Sequence, residues 1–520
     1  MERCFLDGQF PCRWTPDLGG GFGFPLFNYY SPLVYYLGVV FRLTGFSFVG
    51  SIKLLFLTGI ILSGISMYLL TKEFWGKLGG LVSAVFYIFV PFHALDIYVR
   101  GDLSEFFALA IVPFVFWAFY RLIKTNERQF LFLTGLFLGA FLLSHNITAM
   151  LFAPLLLVWI IFWFLVLKKI QKETVFQVLI AGLAGFGLSA FFIIPALLEQ
   201  SLVQVGSLTT GYFDFKAHFI TLRQLFLDRS WSFGISRFGP TDTLSFQIGW
   251  PHWWLVFLSF GLTILKLKDR GDFRKWLIIL MSGLFLVLVF MIHPRSVIFW
   301  ENLPLIAFTQ FPWRLLGPVG LVSSFLAGSV IILLAGKDKV QVHLLAFFLV
   351  VLVVALNTAY FKPAKFTSAT DEDFLTGETF KSEQQGAVYD FLPKGVTKLP
   401  DFDAQDIQII SGEANISEFV RKSDYFKVNI EVHGDQPAQI IAPVFDFAGW
   451  EVFVDEQPVT INKNPWGLIQ MESPKGKHEI SGWFRNTKIR LSGNGISIVT
   501  LLLVIYFFVT NDRKNKKFKK

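Results

Sequence analysis

The chain has 520 residues, of which 53% are hydrophobic and 16% charged, with a mean hydropathy of +0.55. Soluble domains carry about 25% charged residues, so this composition excludes an ordinary soluble protein and points to a polytopic membrane protein. The net charge of +8 gathers in short turns and in the tail 513–520, where it reads as a topology signal rather than a nucleic-acid surface.

The opening stretch 7–32, DGQFPCRWTPDLGGGFGFPLFNYYSP, holds five glycines and four prolines with aromatic residues between them. Gly and Pro at that density forbid a long helix. The aromatics suit a membrane–water boundary, so an ordered loop on the membrane surface is expected. Residues 33–44 are apolar but short and carry Arg42, which predicts an interfacial helix and closes a first region at 1–50. The first ten residues lack the apolar core of a signal peptide. Cys4 and Cys12 give neither a disulfide framework nor a metal-ligand spacing.

Six candidate spans follow, at 54–70, 78–98, 106–120, 130–143, 147–167 and 175–197. After a long polar and aromatic loop at 200–249 come four more, at 253–267, 276–292, 315–335 and 342–356, and a last one at 496–509. About eleven spans are therefore expected, within a helical domain 51–359 and a final helix 492–510. Basic turns (Lys72 and Lys77; Arg121, Lys124 and Arg128; Lys168, Lys169 and Lys172; Lys266 to Lys275; Lys337 and Lys339) and the tail 511–520 alternate with turns poorer in Lys and Arg. The positive-inside rule makes the basic set cytoplasmic, which puts the opening loop, the 200–249 loop and residues 360–491 on the outer face. An outer opening loop needs a preceding span to export it, so Met1 is expected not to be the natural start, or the chain to be a fragment.

Residues 360–491 change to period-two patterning. Phe426, Val428, Ile430 and Val432 alternate with polar residues, Val452 and Val454 repeat the pattern, and Pro474-Lys475-Gly476 reads as a turn. A small antiparallel sandwich-like β domain is expected there.

Charged residues at the outer ends of spans are the candidates for chemistry. Arg100-Gly101-Asp102-Leu103-Ser104-Glu105 is either a turn with Ser104 capping the next helix or a functional acidic group. His145, in Ser144-His145-Asn146, is either a satisfied structural residue or a site residue. Glu199 is either a snorkelling end-charge or a site carboxylate. Arg314, in Gln310-Phe311-Pro312-Trp313-Arg314, is placed to pair with a phosphate or to anchor an aromatic belt. The 200–249 loop, with its scattered charges, is a solvated surface loop or a lid. No Walker motif, dinucleotide turn, zinc spacing or Ser-His-Asp signature is present.

The opening loop, with Arg13-Trp14, Pro16-Asp17, Gly23-Phe24-Pro25-Leu26-Phe27 and Tyr30-Ser31-Pro32, resembles bacterial membrane proteins of the YfhO and 6-pyruvoyl-tetrahydropterin synthase-related type. The resemblance continues through Gly101-Asp102 to Glu105, Ser144-His145-Asn146, Gln310 to Arg314, Tyr389 to Pro393, and Gly449-Trp450 to Asp455. It implies a fold like that of GT-C membrane glycosyltransferases. It also implies inverting transfer of a sugar from a polyprenyl-phosphate donor to a cell-envelope glycan or polymer, at the outer face of a bacterial plasma membrane. Asp17, Asp102, Glu105 and His145 are the implied catalytic residues, and Arg13, Arg100, Glu199 and Arg314 the implied substrate-binding ones. No cofactor is implied, and no metal is supported by a motif. Relatives carry a first span and an acidic motif ahead of Asp7; without them, Asp17 is the nearest acid with a suitable setting. A lipid or polysaccharide exporter, or an envelope-assembly scaffold, is the alternative; the gathering of charge at outer helix ends rather than at mid-membrane depth favours transfer.

Overall fold

The structure is a computed structural model describing residues 1–237, 242–266, 272–334, 339–386, 391–404 and 406–517. Lys268, Arg270 and Lys337 of the basic turns, Tyr389 and Asp390 of the Tyr389-to-Pro393 motif, and the last three residues of the tail lie outside the described residues. The chain divides into two compact units, Met1–Ser51 with Leu188–Leu208 and Ser368–Leu501, and Ile52–Gly187 with Thr209–Thr367 and Leu502–Lys520.

The second unit is helical. Among the described residues, eight helical stretches of the whole chain are long and apolar enough to cross a membrane. The eleven expected segments fall on helices over their described residues. The segments 54–70 and 78–98 lie on two helices separated by a kink at Gly76 within Phe48–Ile88, the second segment running on into the helical turns Pro91–Leu95 and Asp96–Arg100. Gly76 has φ 71°, a conformation open to glycine and costly for other L-residues. Arg128–Leu142 has 15 residues, short of the roughly 20 that a bilayer needs, and Trp250–Lys266 is helical up to the last described residue before 272. Helix Leu103–Thr125 and the stretch Pro312–Leu334 are 89% and 94% buried over their most apolar windows, so they form the middle of this unit.

The first unit centres on eight antiparallel strands: β1 Gln408–Ser411, β2 Ala414–Arg421, β3 Tyr425–Val432, β4 Ala438–Phe445, β5 Trp450–Val454, β6 Gln457–Val459, β7 Leu468–Ser473 and β8 Gly476–Phe484. They make a three-stranded sheet, β1-β4-β7, and a five-stranded sheet, β2-β3-β8-β5-β6. β3 buries Phe426, Val428, Ile430 and Val432 in strict alternation, as its sequence requires. The turn at Pro474-Lys475 carries the chain from the smaller sheet to the larger one.

The opening loop belongs to this unit, and its aromatics serve a different purpose from the one expected. Trp14, Phe22 and Tyr29 are buried in the same hydrophobic cluster as Phe426, Phe445, Phe447 and Trp450. Trp14 meets Trp450 edge-on with ring centroids 5.6 Å apart. Packing against a β core removes more apolar area from water than a membrane–water boundary does, so the rings turn inward. Gly23, at φ 75°, lies where a Cβ would strike the Trp14 indole, which explains the tight return from Phe24 to Thr15. Cys4 and Cys12 are joined in a disulfide across eight residues of sequence. Spacing carried no sign of this, because the pairing depends on the loop closing back on itself.

Candidate functional site

Two buried charged clusters, one in each unit, hold the residues singled out from the sequence other than Asp17.

In the helical unit, chain geometry brings Asp96, Arg100, Asp102, Glu105, His145 and Arg314 together. Residues 96–100 form one turn of π-helix that ends at Gly101, with φ 64°. The helix Leu103–Thr125 then starts with Asp102 as its N-cap, whose carboxylate accepts from the Glu105 amide at 3.0 Å. Ser104, the expected cap, is buried, and its hydroxyl has no hydrogen-bond partner among the described residues. Asp displaces Ser because its ionised oxygen also pairs with a cation. Arg100 donates to Asp96 and to Asp102, at 2.7 Å for the latter, and lies 2.9 Å from Glu105 Oε2. Arg314 Nε lies 3.2 Å from the same Glu105 oxygen, and its Nη1 donates to Gln310 Oε1 at 2.9 Å and to the Thr309 carbonyl at 3.1 Å. The Trp313 ring faces Arg100 at 4.9 Å and the Phe311 ring faces Arg314 at 5.1 Å.

His145 caps the next helix, Asn146–Leu167, and its Nδ1 lies 2.8 Å from Thr148 Oγ1. Asp102, Glu105 and His145 each place one ligand atom within 4.8 Å of the others. Burial would raise the Asp102 carboxyl, but Arg100, with His145 and Arg314, holds it below the usual carboxylate range. Burial also holds the His145 imidazole below its ordinary value, against the opposing pull of Asp102 and Glu105. Three carboxyl groups face two guanidiniums in this cluster. Oxygen, oxygen and imidazole nitrogen form a donor set that fits Mg²⁺, Mn²⁺ or Zn²⁺.

The 200–249 loop is ordered by short 3₁₀ turns and by the helix Leu222–Phe226, which starts with a Thr221–Gln224 capping box. His218 Nδ1 lies 2.8 Å from Ser236 Oγ, and Trp313 Nε1 donates to that same oxygen at 3.1 Å. The loop is thereby fastened to the segment that carries Arg314.

The other clusters lie in the β-containing unit. Arg13 is 2% exposed and donates to Asn28 at 2.9 Å, Asn486 at 3.1 Å, Asn494 at 2.7 Å and the Phe191 carbonyl at 3.0 Å. Burial, reinforced by the charge of Arg490, pushes the Arg13 guanidinium down to about 10, so it stays charged at neutral pH. Glu199 accepts from Arg490 Nε at 2.8 Å and from the Thr487 hydroxyl. Asp17 pairs with Arg3, and both side chains are partly exposed. Arg13 and Glu199 thus bind the loop, the helix end and the last helix of their own unit. Arg490 escaped the sequence reading because it resembles any basic flank of a span. Asp96 escaped too, although its place four residues before Arg100 on a helix was a usable signal.

Residues 27–238 match the profile of the 6-pyruvoyl-tetrahydropterin synthase related domain, a membrane-protein family. The chain resembles this family of membrane proteins. The matched stretch contains Arg100, Asp102, Glu105 and His145 but stops short of Arg314. A protein from Lactococcus lactis subsp. cremoris (strain MG1363), described as uncharacterized, is 30% identical over 202 residues, covering 37% of this chain and 32% of that relative. The oligosaccharyltransferase of Archaeoglobus fulgidus, tethered to an acceptor peptide, aligns with 14% identity and a TM-score of 0.35 over 69% of this chain and 49% of that one. Archaeoglobus fulgidus AglB, solved with an inhibitory peptide and a dolichol-phosphate, aligns with 11% identity and a TM-score of 0.37 over 71% and 51%. The chain therefore spans about a third of that relative's length and about half of each of these solved chains.

Proposed function

We propose that this protein is a membrane glycosyltransferase that moves a sugar from a polyprenyl-phosphate donor to a cell-envelope glycan or polymer at the outer face. The cluster of Asp102, Glu105 and His145 with Arg100 and Arg314 carries the reading. It is a dense, buried group of acidic and basic side chains at helix ends, where ionisable residues are functional candidates by default. Asp102, Glu105 and His145 would hold a divalent cation, which when bound supplies positive charge to the donor phosphate. Arg100 and Arg314 set the carboxylates in place. Arg314 was expected from sequence to grip the phosphate; its donors instead face Glu105, Gln310 and Thr309, which supports a positioning role.

The test is transfer from a radiolabelled polyprenyl-phosphate sugar in proteoliposomes. The expected result is label in the acceptor fraction that Glu105→Gln abolishes. Movement of polymer across the bilayer with no label transferred would replace this reading with the exporter one.

The outer face is part of the same proposal. The disulfide between Cys4 and Cys12 supports it, since such bonds persist outside the reducing cytoplasm. Arg237→Cys and Gln436→Cys, both exposed in the structure, should react with an impermeant maleimide in intact cells. Protection of both until lysis would reverse the topology. The two natural cysteines, being joined, do not compete for the reagent.

A further inference from the structure

We infer that the helical unit carries a separate binding site for a saccharide bearing a carboxylate or phosphate, in the cavity between residues 229–233 and 359–364. The cavity holds about 620 Å³, within the range of small-ligand sites, and is lined by Arg229, Trp231, Phe233, Tyr360, Lys362 and Pro363 among others. Its inference concerns binding alone and does not depend on sugar transfer at the Asp102 cluster.

The walls are set in advance. Tyr360 is 3% exposed, and its hydroxyl donates to Gln247 Oε1 at 2.7 Å. The Trp231 ring lies against it, with centroids 5.0 Å apart and planes inclined by 35°. Arg229 is held from two sides: its Nη2 donates to the Leu356 carbonyl at 3.0 Å, and its guanidinium lies 4.9 Å from the Trp250 ring. Side chains fixed in this way lose little freedom when a ligand arrives.

Two features then select the ligand. Arg229 and Lys362 have no carboxylate partner among the described residues, so the cavity presents two uncompensated cations to an oxyanion. Phe233, Trp231 and Tyr360 offer ring surface for the apolar face of a sugar. A purely apolar ligand would leave both cations unsatisfied. A bare inorganic anion would leave the rings unused.

The purified full chain in nanodiscs of phosphatidylcholine should bind trigalacturonate and glucose 6-phosphate, followed by tryptophan fluorescence and calorimetry, and should bind maltotriose at least tenfold more weakly. Arg229→Gln and Lys362→Gln alter exposed side chains and should each weaken trigalacturonate binding about tenfold. Trp231→Leu should weaken both ligands by removing a ring face. Binding of neither anionic sugar, equal binding of maltotriose, or insensitivity to all three substitutions would overturn the inference. So would displacement of the sugars by adding phosphatidylglycerol to the nanodiscs, because the cavity would then be a lipid-headgroup seat.

Discussion

Glu105→Gln should cut sugar transfer by a factor of about 10²–10⁴, the loss typical of removing a general acid–base or ligand group, while the chain still folds. The physical reason lies in what the amide keeps and what it loses. Asp102 still faces Arg100 and Arg314. The amide keeps nearly the same volume, and its oxygen is still able to accept from either guanidinium. What disappears is the carboxylate that would hold a divalent cation. Transfer by the variant in proteoliposomes, with its thermal midpoint measured on the same preparation, checks this. Transfer within threefold of wild type at an unchanged midpoint removes Glu105 from the site. Loss of transfer together with a collapsed midpoint would instead make Glu105 a folding residue.

Glu199→Gln is expected to do the reverse, crippling the fold rather than a reaction. Glu199 and Arg490 are 3% and 0% exposed at their side chains, and Arg490 Nη1 and Nη2 have no hydrogen-bond partner among the described residues. The guanidinium also lies 5.2 Å from the Phe447 ring and 5.1 Å from the Phe484 ring. Taking the charge from Glu199 leaves Arg490 buried with no carboxylate, and Arg13 nearby in the same unit. Breaking a buried pair from one side costs about 3–5 kcal/mol, a large share of the stability of most domains. Replacing both partners, as in Glu199→Gln with Arg490→Met, removes the stranded charge and should recover much of that loss. Denaturation of the detergent-solubilised chain by heat and the yield of protein in membranes give the readout. A single variant within about 1 kcal/mol of wild type, or a double variant worse than the single, would refute the account. Because residues in contact do not contribute additively, the cycle of single and double variants is the informative comparison.

The sequence by itself determined whatever depends on neighbours within a few residues. Long apolar runs became helices, since a membrane-spanning segment must satisfy its own backbone. The alternation of Phe426, Val428, Ile430 and Val432 became the buried face of β3, since successive side chains on a strand point to opposite sides. Even the Asp102–Glu105 spacing was readable as a helix start, although the capping residue was Asp102 rather than Ser104. Tertiary structure alone decided which distant residues meet. His145 and Arg314 lie 43 and 212 positions beyond Asp102, and only the packing of their helices brings them to one cluster. The same holds for Trp14 against Trp450, for Glu199 against Arg490, and for Trp231 against Tyr360. Charge and aromaticity name the residues able to act in a protein like this one. Where each is buried, and beside which partner, follows from long-range packing that no local period encodes.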